Sequence, residues 1–223
     1  MRAGGLAGAL VAVEGIDGSG LSTHSRLLSE RLNGLGLRAV YTKEPTDGPI
    51  GRVIREMLVQ PSPNPWLMAV LFAADRLWHM YHDPSLPGVG VEGSLRQGYI
   101  VVTDRYKYSN IAYQGAMGVP RDWLWQVNAA AREADVIIYI DVPVDVAIRR
   151  ISARSRREAY EDPSLLAKVK SEFEEVLAEA ASRGVTVLRF RGVEGGREKG
   201  VDELNEEILG RLLEVLRGTA KRT

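Results

Sequence analysis

The 223-residue chain has no cysteine. Disulfides, thiolate zinc sites and cysteine nucleophiles are therefore excluded. It has no excess charge either, because 29 Lys and Arg balance 29 Asp and Glu. No general attraction to nucleic acid or to an anionic membrane is expected, so a charged ligand must be met by local clusters. No apolar run approaches the ~20 residues that span a bilayer. The first ten residues hold one Arg among small residues, too short an apolar region for a signal peptide. Together with the missing thiols this points to a cytoplasmic protein. There is no internal repeat and no low-complexity segment.

What the chain does have is alternation. Short, β-branched runs at 9–14, 38–42, 99–103, 136–141 and 186–190 read as strands, and several are apolar throughout, as parallel strands buried on both faces are. Helical patterns lie between them. Leu27, Leu28, Leu32 and Leu35 form a stripe of period 3.6 within 22–35, and further helices are expected at 49–58, 65–81, 120–132, 144–156, 164–182 and 201–216. Proline opens several of these, as fits a first helical turn. The segments 83–93 and 191–200 are rich in Gly and Pro or Gly and charge, and are expected to be loops. The order predicts one α/β domain over residues 1–223: a three-layer fold with a five-stranded parallel sheet flanked by helices, plus a small Arg-rich lid at about 149–161.

Between the first strand and the first helix stands Gly15-Ile16-Asp17-Gly18-Ser19-Gly20-Leu21-Ser22-Thr23. This matches the phosphate-binding P-loop pattern G-x-x-x-x-G-K-[ST] at every position but one. The glycines let backbone N–H groups wrap an anion, and the helix N-terminus adds the positive end of its dipole. Ser22 stands where a hydroxyl meets Mg²⁺. Leu21 stands where a lysine would bridge the β- and γ-phosphates, and leucine cannot do that.

Further stretches carry a family resemblance. Val13-Glu14-Gly15-Ile16-Asp17-Gly18-Ser19-Gly20, Thr42-Lys43-Glu44-Pro45, Leu71-Phe72-Ala73-Ala74-Asp75-Arg76 and Asp104-Arg105-Tyr106 with Ser109 and Ala112-Tyr113-Gln114-Gly115 resemble the thymidylate kinase family. The likeness continues through Asp141-Val142-Pro143 and the Arg-rich lid, from about residue 9 to 216. It implies ATP and Mg²⁺ as cofactors, dTMP as the small-molecule partner, and a homodimer. It also implies roles. Residues 15–23 would hold the ATP phosphates, with Arg150 packed on adenine. Ser22 and Asp104 would hold the metal, although Asp104 serves equally well as a helix cap or a partner for Arg105. Phe72 would stack on the base or simply pack in the core. Arg76 and Arg105 would clamp the monophosphate beside Lys43 and Glu44, while Arg76 has a surface pairing with Asp75 as its alternative. Asp17 would lie near the sugar 3′-hydroxyl or hold a clamp arginine. Ser109 and Gln114 would bind the base edge, and Tyr113 would crowd a 2′-hydroxyl.

Three departures qualify the match. Leu21 is the first. Lys43 replaces the family's arginine with a point charge. The lid arginines are shifted, so Asp17, Arg105, Arg154, Arg156 and Arg157 are the expected catalytic set, with Lys107 as a further cation. The reading is transfer of the γ-phosphoryl of ATP to dTMP. Its alternatives are a nucleotide-binding paralogue with weak or no activity, and a kinase of another deoxynucleotide.

Overall fold

The computed structural model of the protein describes residues 8–153, 160 and 162–219. The elements follow in the order β1 (Ala9–Glu14), α1 (Leu21–Gly34), β2 (Ala39–Lys43), α2 (Pro49–Leu58), α3 (Pro65–Tyr81), α4 (Gly90–Arg96), β3 (Ile100–Asp104), α5 (Lys107–Ala116) and α6 (Arg121–Val127). The chain goes on through β4 (Val136–Asp141), α7 (Val144–Ser152), α8 (Pro163–Ser182), β5 (Thr186–Arg191), β6 (Val193–Glu194), β7 (Arg197–Glu198) and α9 (Val201–Thr219). Five strands form one parallel sheet in the order β2-β3-β1-β4-β5. α1 and α9 pack together against one face, and α4, α5 and α8 lie on the other.

Burial explains the strands. Val11, Ala12, Val101, Val102, Ile137 and Ile138 are fully buried in the three central strands, with helices on both sides. Helix starts follow local chemistry. Asn64 accepts from Trp66 N and Leu67 N at the head of α3, and Asp162 accepts from Ser164 N and Leu165 N at the head of α8. Gly115, in the Tyr-Gln-Gly stretch, lets α8 come close, since a Cβ there would meet Glu172 Oε2 at 3.1 Å.

Three expectations change. The segment expected to be a helix over 120–132 stops at Val127, because the side chain of Asn128 turns inward to hydrogen bond with Arg76 and Asn110. The loop expected over 83–93 gives way at Gly90 to α4. The loop expected over 191–200 contains the β6-β7 hairpin, turned by Gly195 (φ 58°) and Gly196 (φ 79°). The lid residues 154–159 and 161 lie outside the described residues.

The topology positions a site. The chain leaves β1 toward β2 on one side and leaves β3 toward β4 on the other, so the carboxyl ends of β1 and β3 diverge into a crevice. Gly15, Glu44 and Arg105 follow the ends of β1, β2 and β3 there.

Candidate active site

The loop after β1 wraps the first cavity. Gly18 has φ 81°, and a Cβ on it would meet Ala147 O at 2.5 Å. Only glycine lets the loop pass α7 so closely. Gly20 (φ 95°) caps α1 without a side-chain bond, and the first turn holds no acidic residue. Residues 20–23 line a cavity of about 810 Å³, so the amide groups of this helix start are placed to bind an anion. Ser22 Oγ donates to Asp104 Oδ2, and Tyr41 Oη donates to the same oxygen at 3.4 Å. A neutral oxygen and a carboxylate meeting at a phosphate cavity fit a hard cation such as Mg²⁺, which takes few protein ligands beside phosphate oxygens.

A second cavity, of about 500 Å³, adjoins the first. Asp17, Glu44, Leu58 and Arg105 line both. Arg105 adopts φ 69° and reaches back across the loop. Its Nη2 donates to Asp17 Oδ1 at 2.7 Å, and its Nη1 donates to Gly15 O and Ser109 Oγ, each at 3.0 Å. Asp17 therefore holds Arg105 in place. Tyr113 Oη donates to Asp17 Oδ2 at 2.8 Å and accepts from Asp17 N at 2.9 Å. Burial, then the charge of Asp17, raises the Tyr113 phenol well above its ordinary value, so it acts as a neutral donor.

Phe72 and Gln114 line the second cavity, and Arg76 lines it from within the core. Arg76 is not a surface residue. Its Nε and Nη2 donate to Glu44 Oε2 at 2.9 and 2.8 Å, and the other Glu44 oxygen lies 3.0 Å from His79 Nδ1. Ser109 lines the same cavity, where its hydroxyl donates to Glu14 Oε2 and accepts from Arg105 Nη1. Asp75 does not pair with Arg76 at the surface. It accepts from Thr46 N at 2.7 Å and Thr46 Oγ1 at 2.6 Å, which fixes the turn after β2.

Glu14 was legible only as part of a motif, yet it organises this wall. It accepts from Tyr106 N at 3.0 Å and Ser109 N at 3.4 Å, capping α5, whose own N-cap residue offers no side-chain bond. Burial pushes its carboxyl up from 4.5 to about 8, against the Ser109 hydrogen bonds and the Arg105 charge. Between those values the folded chain holds a proton that the unfolded chain has lost. Stability therefore falls as pH climbs through that window, by up to roughly 1.4 kcal/mol per pH unit from this group. Glu14→Gln has no such proton to lose, so its denaturation midpoint is expected to fall less than the wild type's between pH 5 and pH 8. Equal falls in the two proteins would show that Glu14 is not the titrating group.

The cations sort clearly. Leu21 is buried in the wall of the first cavity, where Lys43, Arg55 and Arg105 also stand. Lys43 Nζ lies 3.0 Å and Arg55 Nη2 lies 3.5 Å from the exposed Asp47 carboxylate. Arg55 carries no motif that marks it in the sequence. Arg150 reaches the loop, donating from Nη1 to Gly18 O at 3.1 Å, while Glu198 of β7 accepts from its Nε and Nη2. Lys107 is a correction. It is buried away from both cavities, donates to Ala131 O at 2.9 Å and pairs with Glu133 at 2.9 Å. Arg154, Arg156 and Arg157 lie outside the described residues.

Two cavities that share an arginine wall, one of them built on a phosphate loop, give the chain the architecture of a P-loop kinase of small molecules. Comparison with known proteins narrows the class. The thymidylate kinase family model matches residues 13–188. The chain is 51% identical over 208 residues to an Aeropyrum pernix protein named as a thymidylate kinase, covering 93% of this chain and 97% of the relative. It is 42% identical over 181 residues to one so named in Pyrobaculum aerophilum, covering 81% and 87%. A third, from Methanococcus maripaludis, is 32% identical over 204 residues, covering 92% and 94%. The chain belongs to the thymidylate kinase family and is a phosphotransferase.

Proposed function

We propose that the chain transfers the γ-phosphoryl of ATP to dTMP, giving dTDP and ADP. The observation that carries this is the pair of adjoining cavities, with Asp17 and Arg105 in the wall common to both. Such a transfer needs two anionic nucleotides aligned and their charge neutralised, with little covalent work by the protein. The loop 15–23 binds the ATP phosphates, and Arg150 lies beside the donor end. Mg²⁺ held at Ser22 and Asp104 supplies positive charge to the phosphate oxygens. Arg105 holds the acceptor phosphate, oriented by Asp17 and Tyr113. Phe72 takes the base, and Arg76 stands at the base end among buried amides. The lid arginines Arg154, Arg156 and Arg157 rest on the family likeness alone.

Leu21 leaves the transferring group one cation short. Lys43 and Arg55 border the same cavity and stand in for it, released from Asp47 when phosphate arrives. Leu21 also supports a second reading, a paralogue that binds both nucleotides with weak or no turnover. An ADP-release assay with ATP and dTMP separates the two. Turnover dependent on dTMP is expected. Binding of both nucleotides without turnover would favour the second reading, and turnover with another deoxynucleotide alone would change the acceptor.

The exposed face of α3 supports a homodimer. Trp66, Leu67, Val70 and Tyr81 share one stripe and are 45% to 49% exposed. Trp66 packs edge-on against Trp123, with ring centres 5.0 Å apart. Trp125, by contrast, belongs to the core. Sedimentation is expected to give the dimer mass, and a monomer at micromolar concentration would remove this partner.

A further inference from the structure

A chain of buried amides runs along the second cavity. Arg76 Nη1 donates to Asn128 Oδ1. Asn128 Nδ2 donates to Asn110 Oδ1 at 2.9 Å and to Leu124 O at 2.8 Å. Asn110 Nδ2 donates to Gln114 Oε1 at 2.7 Å. These side chains are almost wholly buried, with Asn128 at 2% exposed, Asn110 at 3% and Gln114 at 0%. The group left over is Gln114 Nε2, buried without a hydrogen bond among the described residues. Arg76, Asn110 and Gln114 all line the cavity. Gln114 is close enough to the Tyr160 hydroxyl to influence it, yet among the described residues that hydroxyl too lacks a bond of ordinary geometry.

The direction of this chain is fixed at one end. A guanidinium carries only donors, so Asn128 must turn its oxygen to Arg76. Its NH₂ then faces Asn110, whose oxygen must receive it. The NH₂ of Asn110 faces Gln114 in turn, and the Gln114 oxygen receives it. Turning any one amide over would set donor against donor in a buried site. Arg76 cannot swing away to relieve this, because Glu44 holds it through Nε and Nη2. An N–H of Gln114 is therefore what remains for a ligand.

We propose that Asn128 is a positioning residue for base selection, acting through Asn110 to hold Gln114 with an N–H toward the bound base. The site then selects a base whose facing edge carries a carbonyl, a keto pyrimidine over an amino pyrimidine. The proposal rests on the reading of this cavity as the acceptor-nucleotide site. A carbonyl satisfies the buried donor, whereas the exocyclic amino group of cytosine faces it with another donor and leaves both unpaired.

Calorimetric titration with dTMP, dUMP and dCMP, without a donor nucleotide, tests this. The wild type is expected to bind dUMP at least about tenfold more tightly than dCMP. Asn128→Asp still offers an oxygen to Arg76 but puts a second oxygen where the NH₂ stood. Asn110 and Gln114 must then both turn over, and an oxygen faces the base. The ratio of dCMP to dUMP affinity is expected to rise by on the order of tenfold or more. Asn110→Asp reverses Gln114 alone and is expected to shift the ratio in the same sense, while Asn128→Leu loosens discrimination without inverting it. A merely structural role would weaken all three nucleotides alike. Thermal melts establish that each variant folds. If the wild type binds dTMP and the folded aspartate variants keep its base ratio, the relay is overturned and the acceptor site stands. If the wild type binds none of the three, the acceptor reading itself is overturned. Should both aspartate variants fail to fold, equal wild-type affinity for dUMP and dCMP overturns the relay, and a clear keto preference supports it.

Discussion

Arg105→Ala is expected to lower kcat/KM for dTMP phosphorylation by on the order of 10³-fold or more. Among the described Lys and Arg residues, Arg105 lines both cavities, whereas Arg76 lines one and Lys43 and Arg55 the other. Burial opposes its charge, but the carboxylates of Asp17 and Asp104 outweigh that and hold it firmly protonated. Its fork is aimed in advance by Asp17, Gly15 and Ser109, at distances from 2.7 to 3.0 Å. Its left-handed backbone (φ 69°) is accepted because Thr103 Oγ1 donates to Arg105 O at 2.7 Å and Glu14 secures the following turn. Arg105→Lys keeps the charge but loses the fork, so it is expected to recover only part of the rate. Steady-state kinetics at saturating ATP checks this, with melts to establish folding. A folded Arg105→Ala protein within tenfold of the wild type would remove Arg105 from the clamp.

The second large effect concerns the missing lysine. The double variant Lys43→Met, Arg55→Met is expected to lower kcat by on the order of 10²-fold or more, with a smaller change in KM for ATP. The loop amides hold the ground-state phosphates without these side chains, whereas charge developing during transfer needs a cation. Adding Leu21→Lys to the double variant is expected to restore at least about tenfold of the loss, because the new ammonium enters the same cavity from the start of α1. Leu21 sits beside Gly15, where a Cβ would meet its Cδ2 at 3.3 Å, so a longer chain must extend into the cavity rather than backward. Pre-steady-state kinetics resolves the transfer step. An unchanged rate in the double variant would return the task to the lid.

Much of this was legible in the sequence, for reasons that also explain what was not. The central strands announce themselves because both their faces are buried, and Asn64-Pro65 and Asp162-Pro163 cap and open helices by local chemistry. α5 escaped notice. Its Lys107, Tyr108, Ser109, Asn110 and Gln114 are buried all round by hydrogen bonding rather than by an apolar stripe, so no period of 3.6 shows. α4 was hidden behind Val89 (φ 63°) and Gly90 (φ 72°), a turn that reads as loop. The Gly195-Gly196 pair is a hairpin signal that the charged residues around it mask. Within the site, the motif residues Gly18, Ser22 and Arg105 come together around the first cavity. Arg55 and Asn128 did not stand out, because α2 and the end of α6 bring them in through tertiary packing alone. Ser109 shows the converse: the motif marks it, but its hydrogen-bond partners depend on a buried carboxylate 95 positions away in sequence.

The claim beneath all this is that two nucleotides lie in the adjoining cavities with their phosphates meeting at Arg105. A single molecule joining thymidine to adenosine through five phosphates at their 5′ carbons tests it directly by calorimetry. The expected result is one molecule per chain, bound far more tightly than either dTMP or ATP, with that advantage lost in Arg105→Ala. Binding no tighter than that of the better single nucleotide, or two molecules per chain, would contradict it.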